Sequence, residues 1–351
     1  MTNKLIIFIT DFIGYFLKVI RFDKAIRSGN DLRLVFYHGI GDKNSAAMTY
    51  LDDEIPEEVF RKHIDYLQDK YILLSLKDAV ELAQTGKLPK ENPVCAISFD
   101  DGLRSVFSHA FPLLKERGIP FDVFVNTSVI GNKDLLWLHA INYLLTNYGP
   151  ANVAESINSL IDRYVLEAPS NARGLEQWCM ENFEYFLKNN IVGQLFDNYA
   201  LNLEEVAAEQ GLYLTWEQIE EMSENGVGFY SHTHRHFPLN TLSEDELIRA
   251  EIKVAHDILD LRLKAPVFIS FPFGMESDYG KRAIPHAFSV GHKFVVEVGD
   301  GLNSLTRIIS NNIMSRVCLG TTAADSAKLY SAIEVRPVVK TRLKSMLGRN
   351  S

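Results

Sequence analysis

Short apolar, β-rich runs recur along this chain, and segments of helical periodicity separate them. The runs are Leu32–Tyr37, Val94–Phe99, Phe121–Asn126, Val227–Tyr230, Val267–Phe271 and Phe294–Val298. Several are apolar at consecutive positions, the pattern of a strand buried on both faces. Strand, helix, strand in repetition predicts an α/β fold with a parallel sheet, because parallel neighbours need a crossover between them. In such folds chemistry gathers at the carboxyl ends of the strands. The helix starts are readable. Ser75 precedes a helix ending near Gly86, Thr215 and Gln218 form a capping box closed by Gly226, and Ser243 with Glu246 predicts another box opening a helix to about Leu263.

The alternation breaks between Lys133 and Gly211, where helical patterns cover Leu135–Tyr148, Ala154–Leu166 and Leu175–Lys188. The expected organisation is therefore an N-terminal apolar helix over residues 1–30, an α/β body over 31–132 and 212–320, a helical insertion over 133–211, and a helical, basic tail over 321–351. Leu5–Ile20 is apolar but interrupted by Asp11 and Lys18, and it is shorter than the roughly 20 residues of a membrane span. With no small-residue cleavage site behind it, two readings stand: a helix on a membrane surface, or one packed on the domain. The expected location is the cytoplasm, either free or at the inner face of the membrane. Arg336, Lys340, Arg342, Lys344 and Arg349 make the tail basic, which suits solvent or an anionic membrane.

A net charge of −9 argues against nucleic acid as a partner, since phosphate contacts need clustered Lys and Arg. The cysteines Cys95, Cys179 and Cys318 are odd in number and far apart, which fits reduced thiols rather than a disulfide framework.

Two segments carry chemistry. Ser98-Phe99-Asp100-Asp101-Gly102 sets adjacent carboxylates just past one strand, and Ser231-His232-Thr233-His234-Arg235-His236 sets imidazoles just past another. Either alone has an ordinary explanation, a helix-capping Asp or a polar loop. A helical His232–His236 spacing would put both rings on one face, and an extended one would align all three histidines. Together, one Asp and two His make a three-ligand metal set with a position open for water, and the second Asp is free to act as a base. The pattern points to metal-assisted hydrolysis. Two His and one carboxylate suit Zn2+ first, with iron, cobalt and manganese also compatible.

These residues resemble the motifs of the polysaccharide deacetylase family (NodB homology, carbohydrate esterase family 4), nearest its exopolysaccharide and biofilm subgroup. Ser98–Gly102 resembles T-F-D-D-G, His232-Thr233-x-x-His236 resembles H-[ST]-x-x-H, and Phe271-Pro272-Phe273-Gly274 resembles a Y-P-x-G variant of the third motif. Phe36-Tyr37-His38-Gly39 and Leu214–Ile219 also fit, and the likeness runs from Leu32 to Cys318. It implies an incomplete (β/α)7-type barrel. It implies Asp100 as general base, Asp101, His232 and His236 as metal ligands, and the Phe273 backbone N–H as oxyanion donor. Pro272 and Trp137 would contact the substrate, an N-acetylated amino sugar of a bacterial surface polysaccharide or its precursor, and water would release acetate.

The chain departs from the pattern at three places. Ser270 stands where many members have an arginine that orients the base, and Arg316 resembles a late arginine that would support the site instead; the bland reading is a surface arginine. No late Leu-x-His motif is present, which leaves His38 and His234 as acids for the leaving amine. Trp137 has two readings, a platform for a sugar face or core of the insertion. The competing functions are an amidohydrolase on a non-sugar amide and an inactive carbohydrate-binding homologue.

Overall fold

A computed structural model describes residues 10–11, 31–41, 45–51, 54–89, 93–161, 167–264, 267–299, 301–304, 308, 310–321, 323, 325–336 and 339. Most of the N-terminal segment and the basic tail beyond 339 lie outside these residues, and with them the readings made of both. Where the N-terminal segment is described, it packs on the domain. Thr10 is buried, and the Asp11 carboxylate accepts from Ser331 Oγ at 2.7 Å and Arg336 Nη2 at 2.8 Å. No described helix is long and apolar enough to cross a membrane.

The strands in chain order are β1 (Asp31–Tyr37), β2 (Gly39–Ile40), β3 (Glu54–Ile55), β4 (Ile72–Leu73), β5 (Val94–Phe99), β6 (Asp122–Val125), β7 (Gly228–Ser231), β8 (Phe268–Ser270), β9 (Phe294–Val298), β10 (Leu302–Ser304) and β11 (Ile313–Cys318). Seven of them form a parallel ring, β1-β5-β6-β7-β8-β9-β11, which returns to β1 through Val35 opposite Val317 and Phe36 opposite Cys318. The barrel is thus one strand short of eight, yet closed. Closure leaves the ring without the unpaired edges that invite aggregation. Two short strands add to the ring at its foot. Antiparallel β10 pairs with Asp31–Arg33 at the foot of β1, and β4 pairs with Val94 and Cys95 at the foot of β5.

Side-chain alternation then decides what the barrel holds. In β1, Leu32 and Leu34 share one apolar cluster with Val94 and Ala96 of β5, Phe124 of β6, Tyr230 of β7, Phe268 of β8, Val296 of β9 and Met314 of β11. Every one of these positions is even-numbered. The odd-numbered Val35, Tyr37, Cys95, Ile97 and Phe99 pack instead with Phe60, Ile64 and Leu67 of the outer helix Glu57–Lys70 and with Phe111 and Leu114 of the helix Phe111–Glu116. The even series continued upward gives His38, Ser98 and Asp100, His232, Ser270 and Arg316. Period-two geometry therefore caps an apolar plug with polar side chains at the carboxyl ends of the strands.

The expected strands Val94–Phe99 and Phe294–Val298 match β5 and β9, and the other four differ at their ends by one residue. β11 had no signal, because the polar Ser315 and Arg316 interrupt its apolar residues at mid-strand. Ser75 caps the helix Leu76–Gln84, and the Thr215–Gln218 capping box opens the helix Trp216–Glu224. The Ser243 box does not form. Glu244 is the N-cap of Asp245–Leu263, and Ser243 gives both its N–H and its hydroxyl to Glu184. The stretch 133–211 is helical, with Trp137–Tyr148, Pro150–Leu160, Ala172–Glu181, Phe183–Lys188, Ile191–Asn198 and Leu203–Gln210. One long expected helix, Leu175–Lys188, is two helices joined at Asn182.

Candidate active site

After β5 the chain turns sharply through two left-handed residues, Asp101 (φ 66°) and Gly102 (φ 64°). A Cβ on Gly102 would sit 3.0 Å from Val125 Cγ1, so the turn needs glycine both for its conformation and for its closeness to β6. Leu214 N–H donates to Gly102 O at 2.9 Å and Arg104 N–H to Leu212 O at 2.8 Å, which pins the turn and brings Tyr213 toward Asp101.

The segment after β7 is neither helical nor extended. Thr233 (φ 67°) and His236 (φ 60°) are left-handed, and they curl the loop so that His232 and His236 meet with ring centroids 5.1 Å apart. Such conformations are uncommon outside glycine and persist where the surroundings enforce them. Here the enforcement is visible. Asn126 Nδ2 donates to His232 O, the Trp137 indole N–H donates to His236 O at 3.0 Å, and buried Glu251 accepts from Arg235 N at 2.8 Å and Arg235 Nε at 2.7 Å. His234 N–H donates to Glu251 O at 3.0 Å, and the His234 ring turns away to Thr127 Oγ1 at 2.8 Å.

The ligand atoms of Asp101, His232 and His236 all lie within 4.8 Å of one another. Asp101 Oδ1 is 3.4 Å from Nε2 of each imidazole. His232 Nδ1 lies 2.9 Å from Ser270 O and can only donate to a carbonyl, so its Nε2 points a lone pair into the group. Burial pushes His232 down to about 4, and burial with the neighbouring histidines pushes His236 well below the usual range, so both rings are neutral. Three electron-pair donors thus face a common point. Donors roughly 2.1 Å from a tetrahedral ion lie about 3.4 Å apart, so the set fits a small divalent cation.

Asp100 stands beside this group, with Oδ2 3.9 Å from His232 Nε2. Arg316 is completely buried and grips it with both terminal nitrogens, Nη1 reaching Oδ1 at 2.7 Å and Nη2 reaching Oδ2. Nη1 also donates to Ser98 Oγ at 3.2 Å and Nη2 to Ser270 Oγ. The guanidinium is sandwiched between Phe36, 4.3 Å from the ring centre, and Phe124, at 5.0 Å. The surface-arginine reading of Arg316 is wrong, because an inward-facing β11 position gives the side chain no route to solvent. Burial would push the Asp100 carboxyl up, but the Arg316 charge and hydrogen bonds oppose it and hold it below the usual carboxylate range.

A cavity of about 710 Å³ opens over these groups. His38, Asp100, Asp101, His232, His236 and Phe273 line it, and the insertion adds Leu138, His139, Arg173, Glu176 and Met180. Phe273 is left-handed (φ 62°), and its ring packs edge-on against His236 at 4.9 Å. Gly274 after it admits no side chain, since a Cβ would lie 2.2 Å from Val298 Cγ2. Pro272, expected at the substrate, is buried and does not line the cavity. Of the two readings of Trp137, sugar platform or core of the insertion, its placement matches the second: it is 6 % exposed, donates to His236 O and packs against Phe183. Tyr213, Glu251 and the insertion residues of the wall had no motif to mark them.

The aligned segments of curated relatives are short. The Bacillus subtilis protein YxkH is 32% identical over 103 residues, 29% of this chain and 34% of that protein. The poly-beta-1,6-N-acetyl-D-glucosamine N-deacetylase of Staphylococcus epidermidis is 31% identical over 91 residues, 26% of this chain and 30% of that protein. The matches therefore span about a third of those relatives' length. The fold likeness is wider. The Streptococcus pyogenes deacetylase PplD, solved in complex with acetate, superposes with a TM-score of 0.56 over 87% of this chain and 98% of its own, at 17% identity. IcaB from Ammonifex degensii does so with 0.55 over the same shares, also at 17% identity. The family model described as polysaccharide deacetylase matches residues 87–295, more than half of the 351 residues and the span that carries both the Asp100–Asp101 and the His232–His236 segments, so this chain belongs to the polysaccharide deacetylase family.

Proposed function

We propose that this chain is a metal-dependent hydrolase that removes N-acetyl groups from an amino sugar of a bacterial surface glycan or its precursor. The observation that carries this is the pairing of the Asp101–His232–His236 donor set with a carboxylate, Asp100, held ionised by buried Arg316 at the floor of an open cavity. A bound divalent ion, zinc first, would polarise the amide carbonyl and lower the pKa of water. Asp100 takes the proton of the attacking water, a role that needs a carboxylate kept charged near neutral pH. The Phe273 backbone N–H, in a residue that lines the cavity, would supply the donor for the developing oxyanion. His38, which lines the cavity together with Asp100, gives a proton to the nitrogen as the C–N bond breaks. Acetate leaves with the oxygen of water, and the sugar leaves as a free amine. A cavity of this size supports a glycan over a small amide.

Zinc content and acetate release from N-acetylglucosamine oligomers, measured on the same samples, test this reading. Zinc-reconstituted protein is expected to hold about one ion per chain. The His232→Ala/His236→Ala double variant is expected to lose both the ion and acetate release. A wild-type protein that binds no zinc, cobalt or manganese would sink the proposal.

Glu251 follows as a positioning residue, because its carboxylate and carbonyl hold the strained loop between the two imidazoles. Glu251→Ala is expected to weaken zinc binding about 10- to 100-fold, the range for groups that orient metal ligands. Zinc titration of the folded variant reads this directly, and an unchanged affinity would mean the loop holds itself.

A further inference from the structure

Parallel pairing between β1 and β11 covers only Val35 with Val317 and Phe36 with Cys318, near the carboxyl ends of both strands. Below it the buried backbone of Ser315 needs another partner. Asn303 of β10, itself completely buried, supplies one. Its Oδ1 accepts from Ser315 N–H at 2.6 Å and its Nδ2 donates to Ser315 O at 2.7 Å, so one side-chain amide takes both backbone groups as a neighbouring strand would. The orientation of the amide follows, because only its oxygen can face the N–H and only its NH2 can face the carbonyl. Nδ2 also reaches Leu32 O and Gly301 O, each at 3.4 Å. The backbone leading to Asn303 holds the same stretch of β11. Gly301 N–H donates to Ser315 Oγ at 3.2 Å, and Gly299 N–H to Arg316 O at 2.9 Å.

The residue held this way is the one before Arg316, and Arg316 has little freedom of its own. Its terminal nitrogens serve both oxygens of Asp100 together with Ser98 Oγ and Ser270 Oγ, and its guanidinium lies between Phe36 and Phe124. A planar fork so confined must follow its backbone. A shift of about 1 Å would carry the 2.7 Å contact of Nη1 with Asp100 Oδ1 out of hydrogen-bond range. Asn303 does not line the main cavity and is not one of the three facing metal donors, so its only route to the chemistry runs along β11. Resting on the deacetylase reading, we infer that Asn303 is a positioning residue for the reaction. It fixes β11 at Ser315 so that Arg316 presents its fork to Asp100, and it acts on the base through Arg316 alone.

Acetate release from N-acetylglucosamine oligomers by the zinc-loaded full chain tests this coupling. Asn303→Ala is expected to lower kcat about tenfold or more while KM stays within about twofold, because a catalytic group is displaced and no substrate contact is lost. In an Arg316→Lys background, where the fork is already gone, the same substitution should lower kcat by less than about threefold further. A role confined to stability would lower Tm and leave the kcat of the folded enzyme unchanged, or would add its full effect to that of Arg316→Lys, and either result overturns the inference. Where Asn303→Ala does not fold, Asn303→Ser carries the same expectations, since its short hydroxyl cannot meet both backbone groups of Ser315. NMR of the arginine guanidinium groups keeps the two proposals apart. If no glycan is deacetylated, the deacetylase reading fails, and the role of Asn303 then stands only if the Arg316 guanidinium protons exchange with solvent at least about tenfold faster in the folded variant than in wild type. An unchanged exchange rate would overturn it.

Discussion

Asp100→Asn is expected to lower kcat on an N-acetylated glycan by about a thousandfold, within the range that a lost general base costs. Zinc affinity should stay within about tenfold, because the donors that face one another belong to Asp101, His232 and His236. The substitution preserves shape and removes charge. One amide oxygen can still accept from Arg316, but the amide NH2 then faces the other guanidinium nitrogen, donor against donor. A stability loss of about 1–3 kcal/mol follows from that unmade hydrogen bond. Paired measurement of kcat, zinc affinity and Tm separates the roles. A kcat within threefold of wild type, with the fold and the metal retained, would remove Asp100 from the chemistry.

Arg316→Ala is expected to be the most disruptive single change at the site. It leaves a buried carboxylate without its countercharge, and breaking a buried pair in this way costs about 3–5 kcal/mol. Its effect on activity should depend on pH. In the wild-type protein Arg316 holds the Asp100 carboxyl below its ordinary value against the opposing effect of burial. Asp100 therefore stabilises the fold above its unfolded pKa, and that contribution is lost as pH falls through the lower folded value. With Arg316 gone, burial acts with less opposition and the carboxyl rises. The acid limb of kcat/KM should then move to higher pH, with a loss of about 100-fold or more at neutrality that shrinks as pH is raised. Arg316→Lys retains the charge without the two-pronged grip and should fall between. A pH profile parallel to wild type in both variants would show that Arg316 does not act through Asp100.

Much of this centre is legible from residues alone because its geometry is local. Asp100 and His232 stand one alternation beyond interior positions of β5 and β7, so the apolar runs that announce the strands also announce which way the next side chains face. Gly102 is legible for the same kind of reason, since a left-handed turn against a neighbouring strand admits little else. Arg316 is different. Its strand is interrupted at mid-length by polar Ser315 and Arg316, so neither β11 nor the direction of the side chain stands out. Glu251 lies in a helix whose charged residues otherwise face solvent, and only the fold reveals it as buried beneath the histidine loop.

The sequence by itself determined the strand–helix alternation, the segments that gather at the carboxyl ends of the strands and the donor types for a divalent ion. Each of these depends on residues within a few positions of one another, where backbone geometry has a fixed period. Only the tertiary structure decided that seven strands close, that Arg316 reaches Asp100 across 216 residues of chain, that Trp137 turns inward to His236, and that the insertion lays one helix face along the cavity. Those contacts depend on register, on ring closure and on which face each helix buries. All three are set by packing between distant segments, and no local pattern of residues records them.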